Sequence, residues 1–125
     1  MQVKDLMKQP YVADKDISLI EAAKIMSAKE IGCLIFVQNN KAKGIITDSD
    51  LLRNFGKNKR VSHVMSKNLI SIGPDANIDE ALKIMKENKI RRLPVVDEKK
   101  HLAGIISMTD IAANSEKLEG DFFFN

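Results

Sequence analysis

The sequence is poor in the residues that build disulfide frameworks and aromatic cores. Among its 125 residues it has one cysteine, one tyrosine and no tryptophan. A single cysteine, Cys33, excludes an internal disulfide and is typical of the reducing cytoplasm. No apolar run is long enough to cross a membrane, and the first residues contain no apolar signal-peptide core. We therefore expect a cytoplasmic protein whose core is aliphatic and rich in methionine.

Residues at catalytic or metal-binding spacing are equally scarce. His63 and His101 are far apart, and neither has a cysteine or an acid at metal-ligand spacing. Cys33 lies in an apolar run, whereas a reactive thiolate needs electropositive, partly exposed surroundings. No phosphate-binding loop, dinucleotide fingerprint or nucleophile-elbow serine is present. We expect no catalytic residue, no metal site and no cofactor, so the protein is predicted not to be an enzyme.

The charge of the chain is also small, with a net value of +3 and an isoelectric point near 9.0. The densest basic stretches are residues 57–60 and the pair Arg91-Arg92. Clusters this short are more often solvated surface than nucleic-acid footprints, although they also suit a phosphate ligand. The lack of a basic face studded with aromatic residues makes nucleic-acid binding the weakest of the functional hypotheses.

What the sequence does contain is an internal duplication that covers nearly the whole chain. Equivalent positions differ by 58 to 60 in residue number, as in the pairs Met7 and Met65, Ala22 and Ala81, and Asp50 and Asp110. Each copy predicts the order β-α-β-β-α. The first helix is predicted to begin near Ser18 and near Asn77, because each is a good N-cap residue with a glutamate three positions later.

The strands of each copy are predicted from two apolar runs. Residues 33–37 and 93–96 are apolar throughout rather than alternating, which indicates strands that are covered on both faces. A polar turn follows each run, and a second strand opens on Gly44 or Gly104. The closing helix of each copy is predicted to start near Ser49 or Thr109.

One motif at the start of the closing helix is a candidate for chemistry. The sequence G-I-I-T-D-S-D ends in Asp50 and is echoed by G-I-I-S-M-T-D, which ends in Asp110. In both copies a hydroxyl residue, Thr47 or Ser107, precedes the aspartate by three positions. The same spacing describes a capping box, in which hydroxyl and carboxylate satisfy free backbone N–H groups. Spacing alone favours capping over ligand binding.

These motifs, in order and twice, carry a family resemblance. The second copy reads V-x-x-V-M at 61–65, I-G-P-D at 72–75, E-A-L-x-x-M at 80–85 and I-R-R-L-P-V-V-D at 90–97. The chain resembles a tandem pair of cystathionine-β-synthase (CBS) domains, with a first repeat at 1–58, a second at 59–116 and a tail at 117–125. The resemblance implies an α/β fold in which the two repeats pack through their sheets into one pseudo-two-fold module with two clefts.

The resemblance also implies a function, a regulatory sensor of adenine nucleotides. AMP is the first expectation, followed by ADP or ATP and by S-adenosylmethionine. Carried over to this sequence, Asp110 and Asp50 would accept hydrogen bonds from ribose hydroxyls, and Ser107 and Thr47 would face the phosphate. The extended segment of the other repeat would line the adenine pocket.

That carry-over assigns Tyr11 and Val12 to the cleft of Asp110, and Leu69 and Ile70 to the cleft of Asp50. The two clefts are not expected to be equivalent. The stronger phosphate binder is expected at Asp110, because the second copy has two arginines at positions where the first copy has no charge.

The arginine pair Arg91-Arg92 is predicted at the end of the first helix of the second copy, where the first copy has Gly32 and Cys33. Either arginine suits a bidentate phosphate contact, and either also suits a plain surface position beside a helix C-terminus. The residue before each aspartate is Ser49 or Thr109 rather than the basic residue common in the family. A monophosphate is therefore better supported than a triphosphate.

The expected partners are an adenine nucleotide, a second copy of the chain packed through its helices, and an unknown regulated protein. The alternative hypothesis is a structural or interaction module whose clefts are unoccupied and whose Thr/Ser-x-x-Asp motifs are only caps. The tail contains three adjacent phenylalanines, Phe122 to Phe124, which we expect to dock on the module, on a second subunit or on a partner.

Overall fold

The structure, a computed structural model, describes residues 1–114. It is mixed α/β with two small sheets, which confirms the predicted fold class. The prediction for the phenylalanine tail concerns residues outside this range. The elements in chain order are α1 (Val3–Leu6), β1 (Val12–Ala13), α2 (Leu19–Lys29), β2 (Cys33–Gln38), β3 (Lys41–Thr47), α3 (Asp48–Arg53), a 3₁₀ helix η1 (Val61–His63), α4 (Ile78–Asn88), β4 (Arg92–Val96), β5 (Leu102–Ser107) and α5 (Met108–Ala113).

The described chain forms two compact units that are offset from the sequence repeats. One unit is Pro10–Leu69, and the other joins Met1–Gln9 to the chain from Ile70 onward. The opening segment of each repeat is therefore built into the unit of the other repeat. Backbone hydrogen bonds attach these segments: the N–H of Val3 donates to the carbonyl of Ala76 at 2.8 Å, and the N–H of Val61 donates to that of Ile17 at 2.8 Å.

The unit of Pro10–Leu69 contains a three-stranded sheet in the order β1-β2-β3. β1 runs parallel to β2, and β2 runs antiparallel to β3. The turn between β2 and β3 contains Asn39 and Asn40 with φ of 54° and 61°, the left-handed pair that a tight hairpin favours. Leu34, Ile35 and Phe36 are buried in succession, which confirms the prediction of a strand covered on both faces.

The other unit contains the antiparallel pair β4-β5, with Leu93 opposite Ile106. The strand that the order β-α-β-β-α predicts at the start of the second repeat is reduced to one parallel bridge between Ile72 and Val95. α1 completes the core of this unit, because Val3 and Leu6 are buried in the same hydrophobic cluster as α4, β4 and β5. The second repeat thus obtains part of its core from the first residues of the chain.

The first helix of each repeat begins where the sequence predicts. Ser18 is the N-cap of α2, and its Oγ accepts the N–H of Glu21 at 3.1 Å. Asn77 is the N-cap of α4, but its side chain makes no capping hydrogen bond, so that part of the prediction is wrong. Each helix is followed by a left-handed residue, Glu30 or Lys89, which ends the helical hydrogen bonding.

The closing helices begin earlier than predicted. α3 starts at Asp48 and α5 at Met108, so the predicted starts near Ser49 and Thr109 fall inside the helices. The reason is that the preceding hydroxyl residues are themselves the N-caps and bring the first turn forward.

Candidate functional site

The junction between β3 and α3 places Thr47 and Asp50 in a reciprocal capping box. Oγ1 of Thr47 accepts the N–H of Asp50 at 3.3 Å, and Oδ2 of Asp50 accepts the N–H of Thr47 at 2.8 Å. The hydroxyl of Thr47 also donates to Oδ2 at 3.1 Å. The other carboxylate oxygen, Oδ1, forms an ion pair with Arg53, one helical turn further along α3. Asp50 is buried, with 8% of its surface exposed.

The junction between β5 and α5 repeats this geometry with a different cation. Oγ of Ser107 accepts the N–H of Asp110 at 3.0 Å, and Oδ2 of Asp110 accepts the N–H of Ser107 at 3.1 Å. Oδ1 of Asp110 lies 2.9 Å from the Nζ of Lys8, which belongs to the opening segment of the chain. Asp110 is also 8% exposed. In both junctions, then, one oxygen caps the helix and the other faces a cation.

The capping hypothesis for these four residues is therefore confirmed. The cap uses Oδ2 of each aspartate, together with the hydroxyl of Thr47 or Ser107. A carboxylate offers about four lone-pair positions, so the cap leaves acceptor capacity on Oδ1. Capping thus does not by itself exclude ligand binding, because the cap does not use Oδ1.

Sequence reasoning missed the two cations at the junctions. The contact of Arg53 with Asp50 could have been predicted, since a residue three positions after an aspartate on a helix lies beside it. The contact of Lys8 with Asp110 could not, because it depends on the opening segment pairing with β5. The backbone N–H of Lys8 donates to the carbonyl of Ile105 at 2.8 Å, and the N–H of Ile105 donates back at 2.9 Å. The equivalent positions in the other repeat are Ser66 and Ala113, so neither cation is duplicated.

The arginine pair lies elsewhere than predicted. α4 ends at Asn88, so Arg91 lies in the connection after the helix and Arg92 opens β4. The helix stops earlier because Lys89 adopts the left-handed conformation, with φ of 54°. Arg92 stands opposite Ser107 in the β4–β5 register, and the carbonyl of Arg91 accepts the N–H of Met108 at 2.8 Å. Both arginines therefore flank the first residues of α5.

The residues predicted for adenine contact divide between the two units. Tyr11, Val12 and Leu69 lie in the unit of Asp50, whereas Ile70 lies in the unit of Asp110. Val12 pairs with Ile35 in the sheet and remains exposed, as does Tyr11. The Nζ of Lys29 lies 5.1 Å from the ring centroid of Tyr11. The assignment of these residues to particular clefts stays a prediction.

Residues 1–114 contain no group of three or more histidine, cysteine, aspartate or glutamate side chains that could hold a metal ion. Nδ1 of His101 lies 3.7 Å from Asp97, whose pKa is lowered chiefly by the backbone N–H of His101 and then by that of Lys99. Nor does this part of the chain contain a helix long and apolar enough to span a membrane.

A groove lies between α2 and α3, on the unit of Pro10–Leu69. Its volume is about 780 Å³, and its apolar lining includes Leu19, Ala23 and Leu51. Two further lining residues project strongly into solvent: Leu52 is 75% exposed and Phe55 is 88% exposed. An apolar groove with such exposed rims is typical of an interaction surface.

The fold and the junctions define a class, a tandem pair of small α/β units in which a capped, buried aspartate follows a strand. Comparison with known proteins gives the family. The CBS domain matches at residues 3–57 and again at 61–117, and the chain belongs to the CBS domain family.

Two relatives show the range of proteins in which this module occurs. The CBS domain-containing protein YhcV of Bacillus subtilis is 35% identical over 118 residues, covering 90% of this chain and 84% of that protein. Inosine-5′-monophosphate dehydrogenase of Nitrosopumilus maritimus is 34% identical over 112 residues, covering 89% of this chain but only 23% of that enzyme. The chain therefore spans less than a quarter of the enzyme's length.

Among solved structures, the CBS domain pair of protein MJ0100 in complex with 5′-methylthioadenosine and S-adenosyl-L-methionine superimposes with a TM-score of 0.86. It is 32% identical in sequence, and the match covers 94% of this chain and 97% of that one. The similar fold is thus one that holds ligands containing adenosine in a related protein.

Proposed function

We propose that this chain is a regulatory module that binds an adenosine-containing ligand through Asp50 and Asp110. The observation that carries the proposal is the unequal use of the two carboxylate oxygens. Oδ2 caps the helix, whereas Oδ1 contacts a cation that is itself largely exposed, Lys8 at 70% or Arg53 at 68% of the side chain. Oδ1 is therefore the carboxylate oxygen that the cap leaves unused, and we assign the ribose contact to it.

The chemistry of the junction suits a ribose diol. An ionised aspartate only accepts hydrogen bonds, and the two hydroxyls of a ribose both donate. A hydrogen bond to a charged group contributes about 1.5–3 kcal/mol. The adenosine ligands bound by MJ0100 share this ribose and differ in what is attached to it, which supports ribose recognition as the common element.

Within this class we propose AMP as the ligand that binds best, followed by ADP or ATP and by S-adenosylmethionine. The residues before the two aspartates are Ser49 and Thr109, so neither adds a positive charge for further phosphates. The cations at the junctions, Lys8 and Arg53, match a single phosphate better than a triphosphate. A cytoplasmic location belongs to the same proposal and rests on the single cysteine, Cys33.

The test is a thermal-shift screen of the full chain with AMP, ADP, ATP, S-adenosylmethionine and 5′-methylthioadenosine. A ligand that binds only the folded state must raise the melting temperature. We expect AMP to give the largest rise, and we expect the double substitution Asp50→Ala with Asp110→Ala to weaken AMP binding by at least about tenfold, because a charged hydrogen bond is lost at each site.

The control is Ser18→Ala, which removes a helix-capping hydroxyl at α2 and leaves both aspartates in place. It is expected to cost about 0.5–2 kcal/mol of stability and to leave AMP affinity unchanged. If the control weakens AMP binding as much as the aspartate variants do, loss of stability explains both. If no compound shifts the melting temperature at millimolar concentration, the proposed function is wrong.

We also propose that the chain forms a homodimer through the groove between α2 and α3, and that ligand binding acts on a regulated protein through this dimer. A two-fold interface uses the same patch on both copies, so an exposed apolar surface can be covered by its own equivalent. Phe55, Leu52 and Ile20, which is 64% exposed, supply that surface.

The same groove favours the interaction-module hypothesis as the second candidate function, in which binding of a protein partner needs no nucleotide.

A further inference from the structure

The two buried aspartates differ in where their cation comes from. Arg53 reaches Asp50 along the same short helix, whereas Lys8 reaches Asp110 from the opening segment of the chain. The equivalent of Lys8 in the other repeat is Ser66, which has no charge. A lysine next to the buried carboxylate is thus a property of one junction only.

The backbone of Lys8 is hydrogen-bonded to β5, whereas its side chain is largely exposed. Two hydrogen bonds with Ile105 hold the backbone of Lys8 beside β5, two residues before Ser107. The side chain is 70% exposed, and its Nζ lies 2.9 Å from Oδ1 of Asp110. A flexible four-carbon stem lets the ammonium move several ångströms without disturbing the strand.

The contact of Lys8 occupies one of the two oxygens that a ribose diol can use. Oδ2 of Asp110 already accepts the N–H of Ser107, so a diol that binds one hydroxyl to each carboxylate oxygen shares Oδ1 with the ammonium or displaces it. An uncharged adenosine that displaces the ammonium gives it no new anionic partner. A ligand with an anionic group on its ribose supplies one, and charge-assisted hydrogen bonds of this kind are about twice as strong as neutral ones.

We propose that Lys8 sets the ligand preference of the Asp110 site in favour of phosphorylated nucleosides over uncharged ones. The proposal rests on the proposed function, because it requires that Asp110 bind the ribose. Lys8 acts twice: it competes with a neutral ligand for Oδ1, and it contacts the phosphate of a charged ligand.

The experiment measures the dissociation constants of AMP and adenosine by calorimetry, using the full chain with Asp50→Ala so that only the Asp110 site reports. Adding Lys8→Met is expected to lower the ratio of the adenosine constant to the AMP constant by about tenfold or more, the equivalent of one charged hydrogen bond. Lys8→Arg keeps the positive charge and is expected to preserve the preference for AMP.

The matched control is Lys4→Met. Lys4 lies on the same segment and pairs with Asp75 at 3.0 Å, and both side chains are at least half exposed. It is expected to leave the ratio unchanged. Melting curves of each variant check that it folds. We expect the Lys8 variants to fold, because the side chain of Lys8 is largely exposed. Lys8→Gln serves as a second uncharged variant.

The outcomes separate the two proposals. If AMP binds and Lys8→Met leaves the ratio unchanged, or weakens both ligands equally, the role of Lys8 is overturned while the proposed function stands. If neither ligand binds the chain with an intact Asp110, ribose recognition at this aspartate is overturned, and the role of Lys8 falls with it.

Discussion

At the scale of single residues, two glycines lie directly against methionine side chains that leave no room for a Cβ. A Cβ on Gly104 would lie 2.8 Å from the sulfur of Met7 and 3.2 Å from the backbone oxygen of Lys8. A Cβ on Gly44 would lie 2.5 Å from the sulfur of Met65, with only side-chain atoms of that methionine close by. Both glycines therefore give room to the opening segment that packs on the strand.

Gly104→Ala is expected to destabilise the protein by about 1–3 kcal/mol. The sulfur of Met7 can move, but the carbonyl of Lys8 is tied into the bridge with Ile105 and cannot yield as easily. Gly44→Ala is expected to cost less, because the flexible Met65 can rearrange. Urea unfolding of the purified variants measures both effects.

Gly73→Ala is the control for this pair, since no atom lies within 4 Å of its added Cβ. It is expected to change stability by no more than about 0.5 kcal/mol. A cost for Gly104→Ala as small as that of Gly73→Ala would mean that the opening segment does not press on β5 as the structure shows.

At the scale of elements, the segment of η1 is attached to the start of α2 by one carboxylate. Oδ2 of Asp16 accepts the hydroxyl of Ser62 at 2.7 Å and the Nε of Arg60 at 3.1 Å, and its Oδ1 accepts the N–H of Ser62 at 3.0 Å. The hydrogen bonds from Ser62, with a further contribution from Arg60, lower the pKa of Asp16 below its usual value of 3.8.

This lowered pKa gives the attachment a pH dependence of known sign. A carboxylate whose pKa falls on folding stabilises the folded state above its unfolded pKa, and the contribution is lost as the pH drops through the folded value. We expect Asp16→Asn to lower the melting temperature at pH 7, and the gap from the unsubstituted chain to narrow as the pH falls from 3.8 through the lowered pKa of Asp16. Thermal melts across this pH range measure the gap.

Asp97→Asn provides the comparison, because Asp97 also has a lowered pKa but holds a hairpin turn of the other unit. Amide hydrogen exchange distinguishes the two substitutions. Asp16→Asn is expected to accelerate exchange near residues 61–66, and Asp97→Asn to leave that segment unchanged. A gap between Asp16→Asn and the unsubstituted chain that does not narrow at all as the pH falls below 3.8 would contradict an electrostatic origin.

At the scale of the whole molecule, the two repeats differ in how apolar their equivalent exposed residues are. The exposed apolar residues Ile20 and Leu52 of the groove correspond in the second repeat to Asp79 and Ala112. An apolar patch is thus present on the α2–α3 surface, and its sequence counterpart is polar or small. If copies associate through this patch, each copy contributes its first repeat.

Phe55→Glu is expected to convert the proposed dimer into a monomer, because it puts a charge into the apolar contact on both copies at once. Light scattering coupled to size exclusion measures the mass, which is expected to halve. The matched control is Ala112→Glu, an exposed substitution at the counterpart of Leu52. An unsubstituted chain that elutes at the mass of one copy at all concentrations would overturn the dimer.

The sequence by itself determined what depends on neighbouring residues. The duplication, the strands covered on both faces and the caps of Thr47 and Ser107 were all predicted, because periodicity and capping act over a few positions along the chain. The predicted starts of α3 and α5 were one residue late, because a capping residue and a first helical residue look alike in sequence.

Only the tertiary structure decided which groups from distant parts of the chain meet. The pairing of Lys8 with Asp110, and the place of Val3 in the core of the second repeat's unit, follow from the exchange of the opening segments. That exchange depends on long-range backbone bridges, such as the one between Lys8 and Ile105, which no local pattern encodes. Two nearly identical junctions thus have different cations, because the residues equivalent to Lys8 and Arg53 in the other repeat are uncharged.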